Sequence, residues 1–270
     1  ERELASVRQL DHPHIVRLLD FGTANDRPFI VTELVRGGSL TRWLDGRAAP
    51  EAELLPIIDQ VLRALEHAHG RGIIHRDIKP SNVLLEAGDA EGPFVKVCDF
   101  SLSVTSTIES WAGEPIAGTP TFMAPEQVMG DALDARTDLY SVGVLMFFAL
   151  TGAPPFTGRR TVDVLRAHVF EPAPDIRTRR GDLDEGMVTL VHRLLEKDPA
   201  RRSPSARAAR ETLRRCAATR SIPPSRVTVA VPELEHDPRP ALEPPWPSAP
   251  PYERYQPPSA APSAPEPAAA

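Results

Sequence analysis

The order of hydrophobic periodicities constrains this fold more tightly than any other feature of the sequence. Residues 15–21 and 29–34 carry strand-like patterns around a turn-forming Thr23-Ala24-Asn25-Asp26, which predicts an antiparallel hairpin. Leu54, Ile58, Val61, Leu62, Leu65 and Ala68 then recur at helical spacing until Gly70, predicting a helix with one buried face. Two short β-rich runs, 83–85 and 95–98, flank a Gly/Asp loop, and helical patterns follow at 138–151, 161–169, 184–196 and 205–219. Residues 1–10 read as the end of a further helix. A small strand-bearing start before a mainly helical body is an α+β order and excludes a repeating βαβ architecture.

The globular pattern ends near residue 220. Of 30 prolines, 15 fall in the last 50 residues, and that Pro/Ala/Ser-rich stretch lacks the apolar periodicity to offset its ordering entropy. It is expected to be a disordered or partly polyproline tail, a spacer rather than a ligand for SH3- or WW-like modules. The net charge of -6 leaves no basic footprint for nucleic acid. Two cysteines, Cys98 and Cys216, make no disulfide framework, which points to a reducing, cytoplasmic setting. The strongest apolar run, 142–150, is far shorter than the roughly 20 residues of a spanning helix. It reads as a core helix, and no membrane segment is expected. The chain opens Glu1-Arg2-Glu3, without an apolar leader.

Chemistry-bearing residues concentrate in His75-Arg76-Asp77-Ile78-Lys79-Pro80-Ser81-Asn82, followed by Val83-Leu84-Leu85, then Asp99-Phe100, then Ala124-Pro125-Glu126. Taken singly, an Asp after an Arg caps a turn and an Asn holds a loop. Their joint spacing resembles the protein kinase signature set: catalytic loop, metal-binding Asp motif and end of the activation segment. The resemblance covers roughly residues 1–215 and is to the eukaryotic-type (Hanks-type) serine/threonine protein kinases. It implies a partial N-lobe at 1–35, a mainly helical C-lobe at 36–220 and the tail at 221–270. It also implies transfer of the ATP γ-phosphate, with Mg²⁺, to Ser/Thr hydroxyls of proteins. Such a transfer needs alignment and charge neutralisation more than covalent help. On this resemblance Asp77 accepts the proton of the incoming hydroxyl, and Lys79 holds the transferring phosphate, as in Ser/Thr-type rather than tyrosine-specific members. Asn82 and Asp99 supply oxygen ligands for Mg²⁺, which hard cations prefer. The Ala/Pro/Arg-rich style resembles bacterial members of the family.

The same resemblance extends to the flanks. Thr119, in Gly118-Thr119-Pro120, is expected to position the substrate residue by bonding toward Asp77 and Lys79. Asp138 looks like the buried Asp that opens the central helix and braces the catalytic-loop backbone. Arg202, at the end of Lys197-Asp198-Pro199-Ala200-Arg201-Arg202, would pair structurally with Glu126. Glu3 matches the helix glutamate that pairs with an ATP-contacting lysine, with a solvated helix charge as the plain alternative. Phe29-Ile30-Val31-Thr32-Glu33-Leu34-Val35 resembles the hinge. There the Glu33 carbonyl and Val35 amide would meet adenine, with Leu84 in the same nucleotide site and Thr32 as a small gatekeeper. Arg76 beside Asp77 suggests control by phosphorylation of the activation loop. Thr105, Ser106, Thr107 and Ser110 are the candidate sites, with self-association for autophosphorylation as a partner expectation.

Two departures bear on function. The metal-binding motif reads Asp99-Phe100-Ser101, and Ser allows fewer backbone conformations than the usual Gly. No glycine-rich loop or strand lysine precedes Glu3, so the sequence reads as an N-terminally truncated kinase. A non-catalytic pseudokinase-like scaffold is the alternative if nothing lies upstream. A small-molecule phosphotransferase is disfavoured by the peptide-platform residues 118–126. His67 and His69 read as surface or packing histidines, and Cys98 as a core residue beside the nucleotide.

Overall fold

The computed structural model of the chain describes residues 7–24, 27–89, 92–100 and 120–219. Glu3, Thr105, Ser106, Thr107, Ser110, Thr119 and the Pro-rich tail lie outside these residues. The predicted hairpin forms from β1 (Leu18–Ala24) and β2 (Arg27–Thr32), antiparallel, with Phe21 opposite Ile30 and an irregularity between Leu18 and Asp20. Just before it, segment 14–16 lies along another strand through two backbone bonds, Val16 N to the Val97 carbonyl at 2.8 Å and Val97 N to the His14 carbonyl at 2.9 Å.

A second sheet follows. Strand β3 (Gly37–Ser39) leads into the short helix α1 (Leu40–Leu44) and then α2 (Glu51–His69), before β4 (Val83–Asp89) and β5 (Gly92–Val97) return to pair in the order β3–β4–β5. The sequence pattern does not reveal β3, because its two glycines have no side chains to alternate. Gly37 is required there by close approach: a Cβ would lie 1.9 Å from the Leu85 carbonyl oxygen. In β5 the burial alternates, Val95 and Val97 inward, as one covered sheet face demands. Gln60 of α2 clips that strand, accepting from Val95 N at 2.9 Å and donating to the Pro93 carbonyl at 3.0 Å.

The rest is helical: α3 (Pro125–Met129), α4 (Ala135–Thr151), α5 (Thr161–Phe170), α6 (Glu185–Leu194) and α7 (Ala206–Thr219). Helix α4 is buried on all sides, from Leu139 and Tyr140 through Phe147 to Leu150. It starts earlier than its apolar pattern, because the Asp134 carboxylate caps the helix by accepting from Arg136 N at 2.7 Å. Asp138 lies in the first turn of α4, fully buried. Gly143 lets α6 approach: a Cβ would lie 2.8 Å from the Leu194 Cβ. Helix α7 packs along α2. Among the described residues no helix is long and apolar enough to cross a membrane.

Candidate active site

The segment between α2 and β4 is polar and cannot pair as a strand, so its backbone groups need side-chain partners. Asp138 provides two. Its carboxylate, fully buried in α4, accepts from His75 N at 2.8 Å and from Arg76 N at 2.7 Å. His69, the last residue of α2, adds a third bond to Asp138 Oδ2 at 2.7 Å. Burial alone would raise the Asp138 pKa, but the His69 bond and the neighbouring His75 hold it below the ordinary carboxylate value. The charge thus stays in the core because every approach to it is a donor. Its bonds hold Arg76 at φ 66°, a left-handed conformation that a non-Gly residue adopts only at a cost.

This clamp presents Asp77. Lys79 Nζ lies 2.6 Å from Asp77 Oδ2, and Asn82 Nδ2 donates to the same oxygen at 3.1 Å and to the Asp77 carbonyl at 2.9 Å. With its amide nitrogen so engaged, Asn82 turns its Oδ1 oxygen to the other side. Asn82 closes the turn Pro80–Asn82, and its carbonyl accepts from Cys98 N at 2.9 Å. That bond brings the end of β5, and with it Asp99, beside Asn82. Asp99 is exposed, at φ 67°. Next to it Phe100 is buried edge-on against His75, ring centroids 4.5 Å apart, and His75 Nε2 lies 2.8 Å from the Cys98 carbonyl. Burial first, then the Asp99 carboxylate, push the Cys98 thiol up to about 12. It stays protonated at neutral pH and is a weak nucleophile.

On the hinge side, the Glu33 N–H is already bonded to the Arg17 carbonyl at 3.0 Å. Its carboxylate accepts from Lys96 Nζ at 2.7 Å and Arg17 N at 2.8 Å. Sequence reasoning gave Glu33 a backbone role only; its side chain also ties the hinge to β5. Val35 and Leu84 are half-buried, and Leu84 points away from the face on which Val83 and Leu85 are buried. Thr32 is exposed at the end of β2.

The platform beyond the active site is equally enclosed. Arg202 satisfies all five of its donors: two to the Glu126 carboxylate at 2.7 and 2.8 Å, and three to the carbonyls of Glu196, Arg136 and Lys197 at 2.8 to 3.0 Å. Burial would raise the Glu126 pKa, but the Arg202 bonds hold it below its usual value. Ser141 donates to the Phe122 carbonyl at 2.8 Å, fixing the turn Pro120–Phe122 on α4. Lys197 lies 4.1 Å from the Phe156 ring centre and donates to the His168 carbonyl at 2.7 Å, its pKa drawn down to about 8 by burial.

Two residues in this arrangement escaped sequence reasoning. His69 was read as a packing histidine, yet it bonds to Asp138; helical periodicity is blind to a polar contact made from the last turn. Gln127 donates from Nε2 to the Arg76 carbonyl at 2.8 Å and accepts from Ala124 N at 3.0 Å. A Gln three residues after a helix cap is a legible signal of such back-bonding.

A profile of the protein kinase domain family matches residues 1–213. The chain is 39% identical over 223 residues to serine/threonine-protein kinase pkn3 of Myxococcus xanthus, covering 79% of this chain and 41% of that protein. It is 38% identical over 213 residues to the DNA damage-responsive serine/threonine-protein kinase RqkA of Deinococcus radiodurans, covering 77% and 31%. The kinase domain of Mycobacterium tuberculosis PknI superposes with a TM-score of 0.63 at 28% identity, over 80% of this chain and 77% of that one. The chain spans well under half the length of these two curated relatives.

Proposed function

The chain belongs to the protein kinase domain family, and from that premise we propose that it transfers the γ-phosphate of ATP to Ser and Thr hydroxyls of proteins. The observation that carries this reading is the convergence of Lys79 Nζ and Asn82 Nδ2 on one Asp77 oxygen, at 2.6 and 3.1 Å. Asp77 accepts the hydroxyl proton as the acceptor oxygen bonds to phosphorus and the bond to the β–γ bridging oxygen breaks, releasing ADP. Lys79 offsets charge on the transferring group, and its link to Asp77 keeps the two on one side of the site. A carboxylate held by two donors is oriented, as a base that positions the hydroxyl and receives its proton requires.

The residues fit Mg²⁺. Asn82 Oδ1 and the exposed Asp99 carboxylate are hard oxygen donors at the ends of paired strands. Among the described residues no group of three His, Cys, Asp or Glu side chains could hold a metal. Two protein ligands completed by phosphate oxygens are what this ion commonly takes. Mg²⁺, when bound, neutralises phosphate charge. The Glu33 carbonyl, the Val35 amide and Leu84 are assigned to the adenine end, and Glu3, Thr119 and phosphorylation at Thr105, Ser106, Thr107 or Ser110 belong to the same proposal. So do autophosphorylation through self-association and a cytoplasmic setting. Relatives named as serine/threonine-protein kinases support the substrate class. The full-length protein is expected to move labelled phosphate from ATP to a protein substrate, and Asp77→Asn to abolish the transfer. Undiminished transfer by that variant would overturn the reading.

A further inference from the structure

Resting on that reading, we propose that Gln127 is a positioning residue for the transfer step, clamping the Arg76–Asp77 peptide to segment 120–127. Gln127 is buried in α3, and its two amide atoms have unlike partners: Ala124 N–H, which can only donate, and the Arg76 carbonyl, which can only accept. Those partners fix the orientation of the amide without ambiguity, and no other uncharged side chain of this length offers one acceptor and one donor at its tip.

The location gives the contact its consequence. Arg76 is held at its N–H by Asp138 of α4 and at its carbonyl by Gln127 of α3. Asp77 N donates in turn to His75 Nδ1 at 3.2 Å. Both polar groups of the Arg76–Asp77 peptide, its carbonyl through Gln127 and its N–H through His75, are therefore tied, and the plane of that peptide sets where the Asp77 carboxylate points. Asp138, through the Arg76 N–H, ties the preceding His75–Arg76 peptide to the core. Gln127 ties the Arg76–Asp77 peptide to Ala124, which follows the turn Pro120–Phe122. A displacement of that stretch withdraws the Gln127 donor from the carbonyl of Arg76, a residue in the left-handed conformation. Gln127 thereby links the condition of the substrate-side segment to the aim of Asp77, without touching substrate itself.

The test uses the full-length protein with Gln127→Met, which keeps length and apolar bulk but has neither hydrogen-bonding atom, and Gln127→Glu. For Gln127→Met, kcat is expected to fall about tenfold to a hundredfold, the scale of small misplacements of a reacting group, while KM for ATP stays unchanged. In Gln127→Glu the ionised carboxylate cannot donate to Arg76, whereas the protonated acid can both donate there and accept from Ala124. Arg76, Asp77 and the Glu126–Arg202 pair are the charged groups beside it. The ratio of variant to parent kcat is expected to climb from about pH 7.5 to about pH 6, as a group protonated by contact with a carbonyl would. A merely structural role would lower the amount of folded enzyme and leave that ratio flat. Parent-like kcat in Gln127→Met, or a flat ratio in Gln127→Glu, overturns this inference alone; absence of transfer by the parent overturns the kinase reading and this inference with it.

Discussion

Helix α4 is enclosed on every side, whereas the β1–β2 hairpin leaves Leu19, Ile30 and Val31 between 39% and 46% exposed. The two regions also differ in how they treat polar groups. Around α4, Asp138 and Arg202 sit at full or near-full burial, yet each meets several partners within 3.0 Å. An unsatisfied group there would cost more than most single contacts return. The hairpin joins the body through segment 14–16, buried at His14 and Ile15, along β5 and through the partly exposed Glu33–Lys96 pair. The lesson is that rigidity is concentrated where the proposed proton acceptor is held. The region assigned to the nucleotide hangs on a narrow set of bonds.

The sharpest way to break this comparison is at Arg202. Arg202→Met strands the buried Glu126 carboxylate and three backbone carbonyls, and removing one partner of a buried pair costs about 3–5 kcal/mol. That is a large share of the roughly 5–15 kcal/mol by which a domain is stable. Glu126→Gln is expected to cost less, because Arg202 keeps its three carbonyl acceptors. Urea unfolding of the two variants checks the order; a loss under about 1 kcal/mol for Arg202→Met, typical of an exposed pair, would show that the enclosure around α4 is not what holds this charge.

Acid should separate the regions by a smaller amount. His12 stacks on His67 and His14, ring centroids 4.8 and 5.4 Å away. Burial, then the charges of His67, His14, Arg63 and Arg71, lower its pKa from 6.5 to about 4. His14 and His67 are lowered too, burial again leading. The unfolded chain then binds more protons than the folded one between those values, so stability is full above pH 6.5 and declines as pH falls toward 4. Glu126 is shifted the opposite way from the usual buried acid, downward, so its pair with Arg202 survives until lower pH. Partial exposure of His12 lets solvent screen the effect, keeping the loss below that of Arg202→Met. Hydrogen exchange near pH 5 is expected to show segment 12–16 and the hairpin losing protection while α4 keeps it. His12→Asn should flatten that pH response, and equal protection loss in α4 would contradict the ordering.

Legibility from sequence followed the same divide. Helix α2 was readable because its buried positions repeat with the helical period, with Gly70 marking where it stops, and the apolar length of α4 because its core residues run unbroken. The hairpin was readable from its turn. Strand β3 was not, since Gly37 and Gly38 carry no pattern, and the start of α4 was set by the Asp134 cap rather than by apolar residues. For the site, residues 75–82 were legible because their chemistry is local in the chain. The His69–Asp138 and Gln127–Arg76 contacts join residues 69 and 51 positions apart. No local pattern reports which distant donor meets a given acceptor.

The smallest expected effect sharpens the comparison most cleanly, because it makes one chemical change in both regions. Val→Thr keeps shape and swaps a methyl for a hydroxyl. At Val31, 41% exposed in a strand, the hydroxyl meets water and Thr suits a strand as well as Val does. The cost should stay under about 0.5 kcal/mol, as for most surface substitutions. At Val142, fully buried in α4, the hydroxyl must be desolvated, at about 1–3 kcal/mol, less whatever it recovers by bonding back to the carbonyl four residues earlier. Thermal unfolding of the two single variants reads the difference directly. Equal shifts in the two would mean that the hairpin face is covered in the folded protein, and the contrast between the regions would then have to be redrawn around a contact made by that face.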